Sequence, residues 1–327
     1  MVRDAAAVIA HLTFHIMAYE DPLWPRAATW LGAASANPSL RIVGVPSAVA
    51  SISSSDAHLT PGEVRRALAG FSTFDGEWGV DFAGLPVADS GDWDVAHLGV
   101  EDSQARIFEL ASGLDAGPVH VFLGGDNAIT RPLVGGLAPE LDSIGVLTFD
   151  AHHDVRVLEN GPSNGTPVRG LIEDGLPGNH VVQIGIHTFA NSLDYRRYCA
   201  RQRIRVVTME TVDREGIAAV TEAALADLAG TCARIYVDFD IDVLDKVYAP
   251  GCPGARPGGM TPRQLLAAAR MCGAHPAVTA CDLVEVDPSR DRNGLTVEVT
   301  AAVLLAFVSG VQRRLDTQIA GRGGDLQ

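Results

Sequence analysis

Two short segments place acidic side chains where apolar runs stop. Phe149-Asp-Ala-His-His-Asp154 closes the run Ile144 to Phe149, and Val237-Asp-Phe-Asp-Ile-Asp242 closes a run that begins at Arg234. In an extended chain side chains alternate, so Asp150, His152 and Asp154 are expected on one side of the first segment and Asp238, Asp240 and Asp242 on one side of the second. Carboxylates gathered at neighbouring strand ends repel one another unless cations neutralise them. Mostly oxygen donors with an imidazole suit a hard or borderline divalent ion, Mn²⁺ better than Zn²⁺. Such ions lower the pKa of water towards neutrality and supply a nucleophile for hydrolysis. One such aspartate alone is ordinarily a helix cap or a turn residue; the joint pattern points to a metal-dependent hydrolase.

A cluster of this kind needs parallel strands that end at one edge. Arg41 to Val45, Val119 to Leu123, Ile144 to Phe149, Val181 to Ile186, Ile204 to Val207 and Arg234 to Asp242 read as buried parallel strands, with a further strand-like run from Val278 to Val286. Helical patterns lie between them, at Val64 to Leu68, Leu98 to Leu114, Val212 to Leu228 and Leu265 to Met271. This alternation predicts an α/β fold: a doubly wound, mainly parallel sheet with right-handed crossovers, helices on both faces and its ligand site at the carboxyl ends of the strands. No linker interrupts the chain, so residues 17–327 are expected to form one domain, with 1–16 a poorly ordered extension ahead of Met17.

The 327 residues carry 25 Lys+Arg against 40 Asp+Glu, a net charge of -15 that repels polyphosphate and leaves no basic track for nucleic acid. The five cysteines form no CxxC pair and suggest neither a disulfide framework nor a thiolate metal site, so a cytoplasmic location is expected. The apolar stretch near the N-terminus is too short to span a bilayer, and no membrane association is expected.

Five motifs, taken in order, resemble the ureohydrolase family of arginase, agmatinase and formiminoglutamase: GGDNAIT from Gly124, FDAHHD from Phe149, NGTP from Asn164, DFDIDVLDKVYAPGCPGARPGG from Asp238 and EVDP from Glu285. The resemblance covers most of the chain and implies an arginase-like three-layer sandwich, a dinuclear Mn²⁺ site and a homo-oligomer, often a trimer or hexamer. It implies that Asp150 and Asp240 bridge two ions, that Asp154 belongs to one ion, and that His152 and Asp242 belong to the other. Asn127 stands where the family usually has histidine. An amide oxygen is a weaker donor than imidazole, so one of the two ions is expected to bind loosely.

Asn164 stands where guanidine-cleaving members usually carry a histidine that passes protons to the leaving amine, and asparagine does not titrate. DAHHDVR, SNGTPVR and GIHTFANS resemble formiminoglutamase instead. The implied reaction is hydrolysis of N-formimino-L-glutamate to L-glutamate and formamide by a metal-bridging hydroxide, a step of histidine degradation. Catalytic roles fall to Asp154 and Glu285, with Glu285 gripping the cationic formamidinium. Arg156, Arg169 and Asn164 are the expected donors to the substrate's carboxylates. Agmatine or a guanidino acid is the alternative substrate, and a noncatalytic subunit the alternative class. Asp126 fits either a helix cap or an outer support for the site, His153 alternates away from the cluster, and Cys252 has no adjacent histidine to activate it.

Overall fold

The computed structural model describes residues 21–138 and 140–324, without the side chains of 321–324. The expected extension 1–16 lies outside the described residues. Ten strands occur in chain order: β1 (Leu40–Gly44), β2 (Phe74–Asp75), β3 (Val80–Asp81), β4 (Val87–Asp92), β5 (Val119–Leu123), β6 (Ile144–Phe149), β7 (Val181–Ile186), β8 (Arg205–Thr208), β9 (Arg234–Asp240) and β10 (Val278–Val284). The α-helices are α1 (Ala27–Gly32), α2 (Thr60–Ala67), α3 (Val100–Ser112), α4 (Thr130–Leu137), α5 (Pro167–Asp174), α6 (Leu193–Gln202), α7 (Met209–Glu215), α8 (Ile217–Ala229), α9 (Pro262–Ala274) and α10 (Leu295–Gly324).

Eight strands form one parallel sheet in the order β4-β1-β5-β10-β9-β6-β7-β8, while β2 and β3 pair as a separate antiparallel ribbon. The chain leaves β5, skips the places later filled by β10 and β9, and continues at β6. Strand order thus changes direction in the middle of the sheet, where open α/β sheets leave a crevice above the carboxyl ends. Alternating side chains divide the core in two. Val237, Phe239 and Leu283 face the layer of α1, α2 and α7 to α10, and Tyr236, Ala280 and Val284 face the layer of α3 to α6. With both faces covered, the central strands are apolar along nearly their whole length. At the site's foot Phe149 and Phe239 stack with centroids 5.3 Å apart, and Phe307 of α10 meets Phe239 edge-on at 6.3 Å.

One local expectation differs from the structure, and two elements have no counterpart among the expectations. Val212 to Leu228 is two helices, because Gly216 takes a φ of +86° and breaks the run between α7 and α8. The strand β4 has a half-exposed polar sequence, VADSGD, and so lacks the apolar signature by which the inner strands are read. Helix α10 is apolar and long enough by composition to cross a membrane, yet most of that apolar window is buried in the fold against α9 and α2.

Because Phe239 is fully buried between two aromatic rings, Phe239→Ala is expected to lower stability by about 3–5 kcal/mol. Denaturant unfolding followed by circular dichroism measures this, and a loss under about 1 kcal/mol would contradict the packing described.

Candidate metal centre

Asp150 directly follows β6, and Asp240 is the last residue of β9, its neighbour in the sheet. Neither segment continues as an extended strand. Beyond β9 the chain turns into a 3-10 helix at Ile241–Val243, with Asp240 Oδ1 accepting the Asp242 amide at 2.8 Å. Beyond β6, Asp150 Oδ1 accepts the His152 amide at 2.6 Å, and Asp154 adopts a left-handed φ of 52°. The expected donors meet, then, because the chain bends at each strand end, and strand alternation is not what brings Asp154 or Asp242 inward.

One donor atom from each of Asp150, His152 and Asp242 lies within 4.8 Å of the others, and the same holds for Asp150, Asp154 and Asp240. Asp150 belongs to both triads, and its Oδ2 is buried with no hydrogen-bond partner. His152 Nδ1 is 3.0 Å from Asp242 Oδ2 and 3.5 Å from Asp150 Oδ1. Buried carboxylates that share one acceptor without a donor, beside an imidazole, are a donor set that fits divalent cations. Asp238 does not join them. It lies one layer down, paired in register with Thr148 and Asp282.

Several loops close over this cluster. Asn127 follows the tight Gly124-Gly125-Asp126 turn, where a Cβ on Gly125 would overlap the Ser47 carbonyl. Asp126 serves both expected roles, accepting the Ala128 amide at 3.0 Å as a cap and the Ala50 amide at 2.9 Å from the neighbouring loop. The Asn127 amide nitrogen is 2.6 Å from Asp154 Oδ2 and 3.4 Å from Asp240 Oδ2. Glu285 follows β10 with a φ of 65°, and its Oε1 accepts from the Asn127 backbone N–H at 2.8 Å and from Asn164 Nδ2 at 3.1 Å. Asn164 is held in turn by the Ile52 amide, which donates to its Oδ1 at 3.0 Å. In the Gly/Pro-rich loop a Cβ on Gly254 would strike Asp242 Oδ2, so glycine lets that backbone seat against the cluster. Cys252 in this loop is buried, and burial raises its thiol well above the usual range.

The cluster opens into a cavity of about 340 Å³. Arg156 and Asn164 line it, as do Asn191, Ser192, Tyr195 and Arg256, four residues that sequence reasoning did not single out. Arg169 is not at the cavity. Its Nε donates to Glu173 at 2.8 Å and its guanidinium lies 4.5 Å above the Tyr198 ring, because α5 carries it away from the loop that holds Arg156. Arg256 was hidden in the glycine/proline run, whose composition signals a turn and not a cation. His153 points away, with Nδ1 2.7 Å from Gln183 Oε1.

Residues 38–309 match the family model described as the arginase family. The chain belongs to the arginase family. Formimidoylglutamase of Halalkalibacterium halodurans is 40% identical over 274 residues, 82% of this chain and 86% of that protein. The human mitochondrial guanidino acid hydrolase is 33% identical over 277 residues, 83% of this chain and 78% of that one. The crystal structure of formimidoylglutamase from Bacillus subtilis is similar with a TM-score of 0.84 and 31% identity, covering 95% of this chain and 96% of that chain. The arginase-like three-layer sandwich expected from the motifs is thus the fold this chain has.

In this arginase-family site the charges are far from their ordinary balance. Burial, reinforced by neighbouring carboxylates, raises Asp154 and Asp240 well above the usual carboxyl range. Burial also raises Asp150 to about 6, and burial with the nearby Asp126 raises Glu285 to about 8. The Asp242 charge, helped by hydrogen bonds to Asp242 and Asp150, pushes the His152 imidazole up to about 12. Burial pushes Asp242 upward too, but the His152 imidazolium outweighs it and holds Asp242 down to about 2. Without metal, His152 therefore carries the positive charge that the aspartates require.

A cation held by His152 would have to displace that proton, because only neutral imidazole ligates. With the folded pKa of His152 above neutral pH, Mn²⁺ binding at pH 7 is expected to release at least about one proton per chain and to tighten as pH rises. Titration calorimetry in buffers of different ionisation enthalpy reads this directly. Heats independent of the buffer would contradict it.

Proposed function

We propose that this chain hydrolyses N-formimino-L-glutamate to L-glutamate and formamide, with two Mn²⁺ ions held by Asp150, His152, Asp154, Asp240, Asp242 and, more weakly, Asn127. It is a hydrolase acting on linear amidine carbon–nitrogen bonds. The observation that carries the choice of substrate is Asn164, fixed between the Ile52 amide and Glu285 at the edge of the cluster. A residue that cannot titrate there supplies no imidazole proton to the departing amine, so that proton has to come from another group. The formimidoylglutamase relatives support the same substrate. The oxygen-rich donor set with one histidine supports Mn²⁺.

When bound, the ions lower the pKa of a water and so supply the nucleophile near neutral pH. The chain's own groups do the rest. Glu285, aimed into the cavity by Asn127 and Asn164, accepts hydrogen bonds from the formamidinium and sets its carbon towards the cluster. The carbon–oxygen bond forms as the water gives up a proton to the Asp154 carboxylate. Asp154 then gives the proton to the glutamate nitrogen as the carbon–nitrogen bond breaks, and the proton left on the new oxygen passes to the released amine, so that formamide and an ammonium result. Arg156 and Arg256, both lining the cavity, face the substrate's two carboxylates. Arg156 makes no salt bridge among the described residues, and its stem lies across Gly165, where a Cβ would meet it. Arg256 holds the loop carbonyls of Pro253 and Ala255 through one nitrogen, leaving the others for a ligand. We further propose a single catalytic domain acting as a homo-oligomer in the cytoplasm, the location supported by five buried free cysteines.

Product analysis of the Mn²⁺-loaded protein with N-formimino-L-glutamate, agmatine, arginine and 4-guanidinobutyrate tests the proposal. Glutamate with formamide is expected, falling by more than about 100-fold in Asp150→Ala. Arg156→Ala and Arg256→Ala are each expected to raise KM by about 10- to 100-fold with a smaller change in kcat, the mark of lost substrate binding. Urea from a guanidino substrate would refute the substrate assignment while leaving the metal chemistry standing, and absence of both turnover and bound metal would point to a noncatalytic subunit.

A further inference from the structure

Beneath Asn127 a chain of hydroxyl and carboxyl groups runs down into the sheet. Thr130, the first residue of α4, places its Oγ1 2.8 Å from Asn127 Oδ1 and 2.6 Å from Asp282 Oδ2 on β10. The hydroxyl of Tyr236 on β9 donates to the same Asp282 oxygen at 2.7 Å. All four side chains are buried, so none of these groups exchanges its partner for bulk water.

A threonine hydroxyl has one proton. An ionised carboxylate only accepts, and an O–H to carboxylate contact of about 2.5–2.7 Å is the range of charge-assisted bonds. The 2.6 Å contact thus commits the Thr130 proton to Asp282, leaving Thr130 Oγ1 as an acceptor towards Asn127. The Asn127 atom that belongs against it is then the amide nitrogen, since the two ends of an amide are told apart only by their partners. Turning the amide sends its oxygen towards Asp154 Oδ2 and Asp240 Oδ2, which lie 2.6 and 3.4 Å from that end of the side chain. An oxygen facing two carboxylates is repelled by them unless a cation lies between. The nitrogen-inward arrangement suits the metal-free cluster, and the oxygen-inward arrangement suits the loaded one.

We propose that Thr130, anchored on Asp282 and Tyr236, is a positioning residue that turns the Asn127 carbonyl oxygen towards the cation and so sets the affinity of the weaker metal site. The inference rests on Asn127 being a ligand of the second ion. Outer groups that orient a ligand typically contribute 10- to 100-fold in metal affinity, and an amide, unlike a carboxylate, has only one end able to ligate, so its orientation matters more.

The test is Mn²⁺ titration of the metal-stripped full chain, with free Mn²⁺ read by electron paramagnetic resonance. The wild type is expected to show two classes of site. Thr130→Val should weaken the looser class by about 10- to 100-fold and leave the tighter one within about twofold, while Thr130→Ser restores the wild-type curve. In an Asn127→Asp background, where either carboxylate oxygen can ligate, Thr130→Val should change the looser class by less than about twofold. Thr130→Ala serves in the same comparison should the valine variant not fold. Unchanged affinities in Thr130→Val, a serine variant as weak as the valine one, or an equal loss in the Asn127→Asp background would each overturn the positioning role. A wild type that binds only one Mn²⁺ per chain would overturn the two-ion reading itself, before any variant is measured.

Discussion

Repulsion among five carboxyl groups is the constraint on which the rest of the site depends. Asp150, Asp154, Asp240, Asp242 and Glu285 crowd above the ends of β6, β9 and β10, all buried. Left ionised and unpaired, such groups are costly in a low dielectric, so burial drives most of them towards the protonated form. The His152 proton relieves part of that load in the absence of metal, and divalent cations relieve it more fully. An arrangement so costly without cations favours their binding.

Rigidity beneath the cluster keeps that arrangement from relaxing. The strands β10, β9 and β6 are paired in register below it, the stacked rings of Phe149 and Phe239 fill the opposite face, and α4 covers the near face with Thr130 reaching Asp282. Loops with glycine at the points of closest approach, Gly125 against Ser47 and Gly254 against Asp242, fix the upper side. Side chains held between a packed sheet and fitted loops have little freedom to move apart, so neutralising charge remains the main way to lower the energy of the site.

Much of this was legible in the sequence because buried parallel strands announce themselves as apolar runs and their ends as abrupt acidic residues. The donors Asp150, His152, Asp154, Asp240 and Asp242 do meet, but the alternation argument gave only part of the reason. Asp154 enters through a left-handed backbone turn and Asp242 through a 3-10 turn, neither of which has a period to read. The same argument placed Asp238 with the cluster, whereas the sheet register puts it a layer lower beside Asp282. For charged side chains in loops, sequence proximity misled in both directions. Arg169 is close in sequence but is drawn off by Glu173 and Tyr198, while Arg256 reaches the cavity from a loop about a hundred positions away. The edge strand β4 escaped notice because one exposed side removes the apolar signal.

The central claim, that the cluster is strained by its own charge and relieved by metal, is tested most directly by denaturant unfolding of wild type and Asp150→Asn, each with and without Mn²⁺. Asparagine removes one charge from the carboxyl that both triads share, while keeping its shape. The account predicts that the metal-free variant is more stable than the metal-free wild type, and that Mn²⁺ stabilises the wild type strongly and the variant little. A metal-free variant less stable than the wild type, with an equal gain from Mn²⁺ in both proteins, would contradict it.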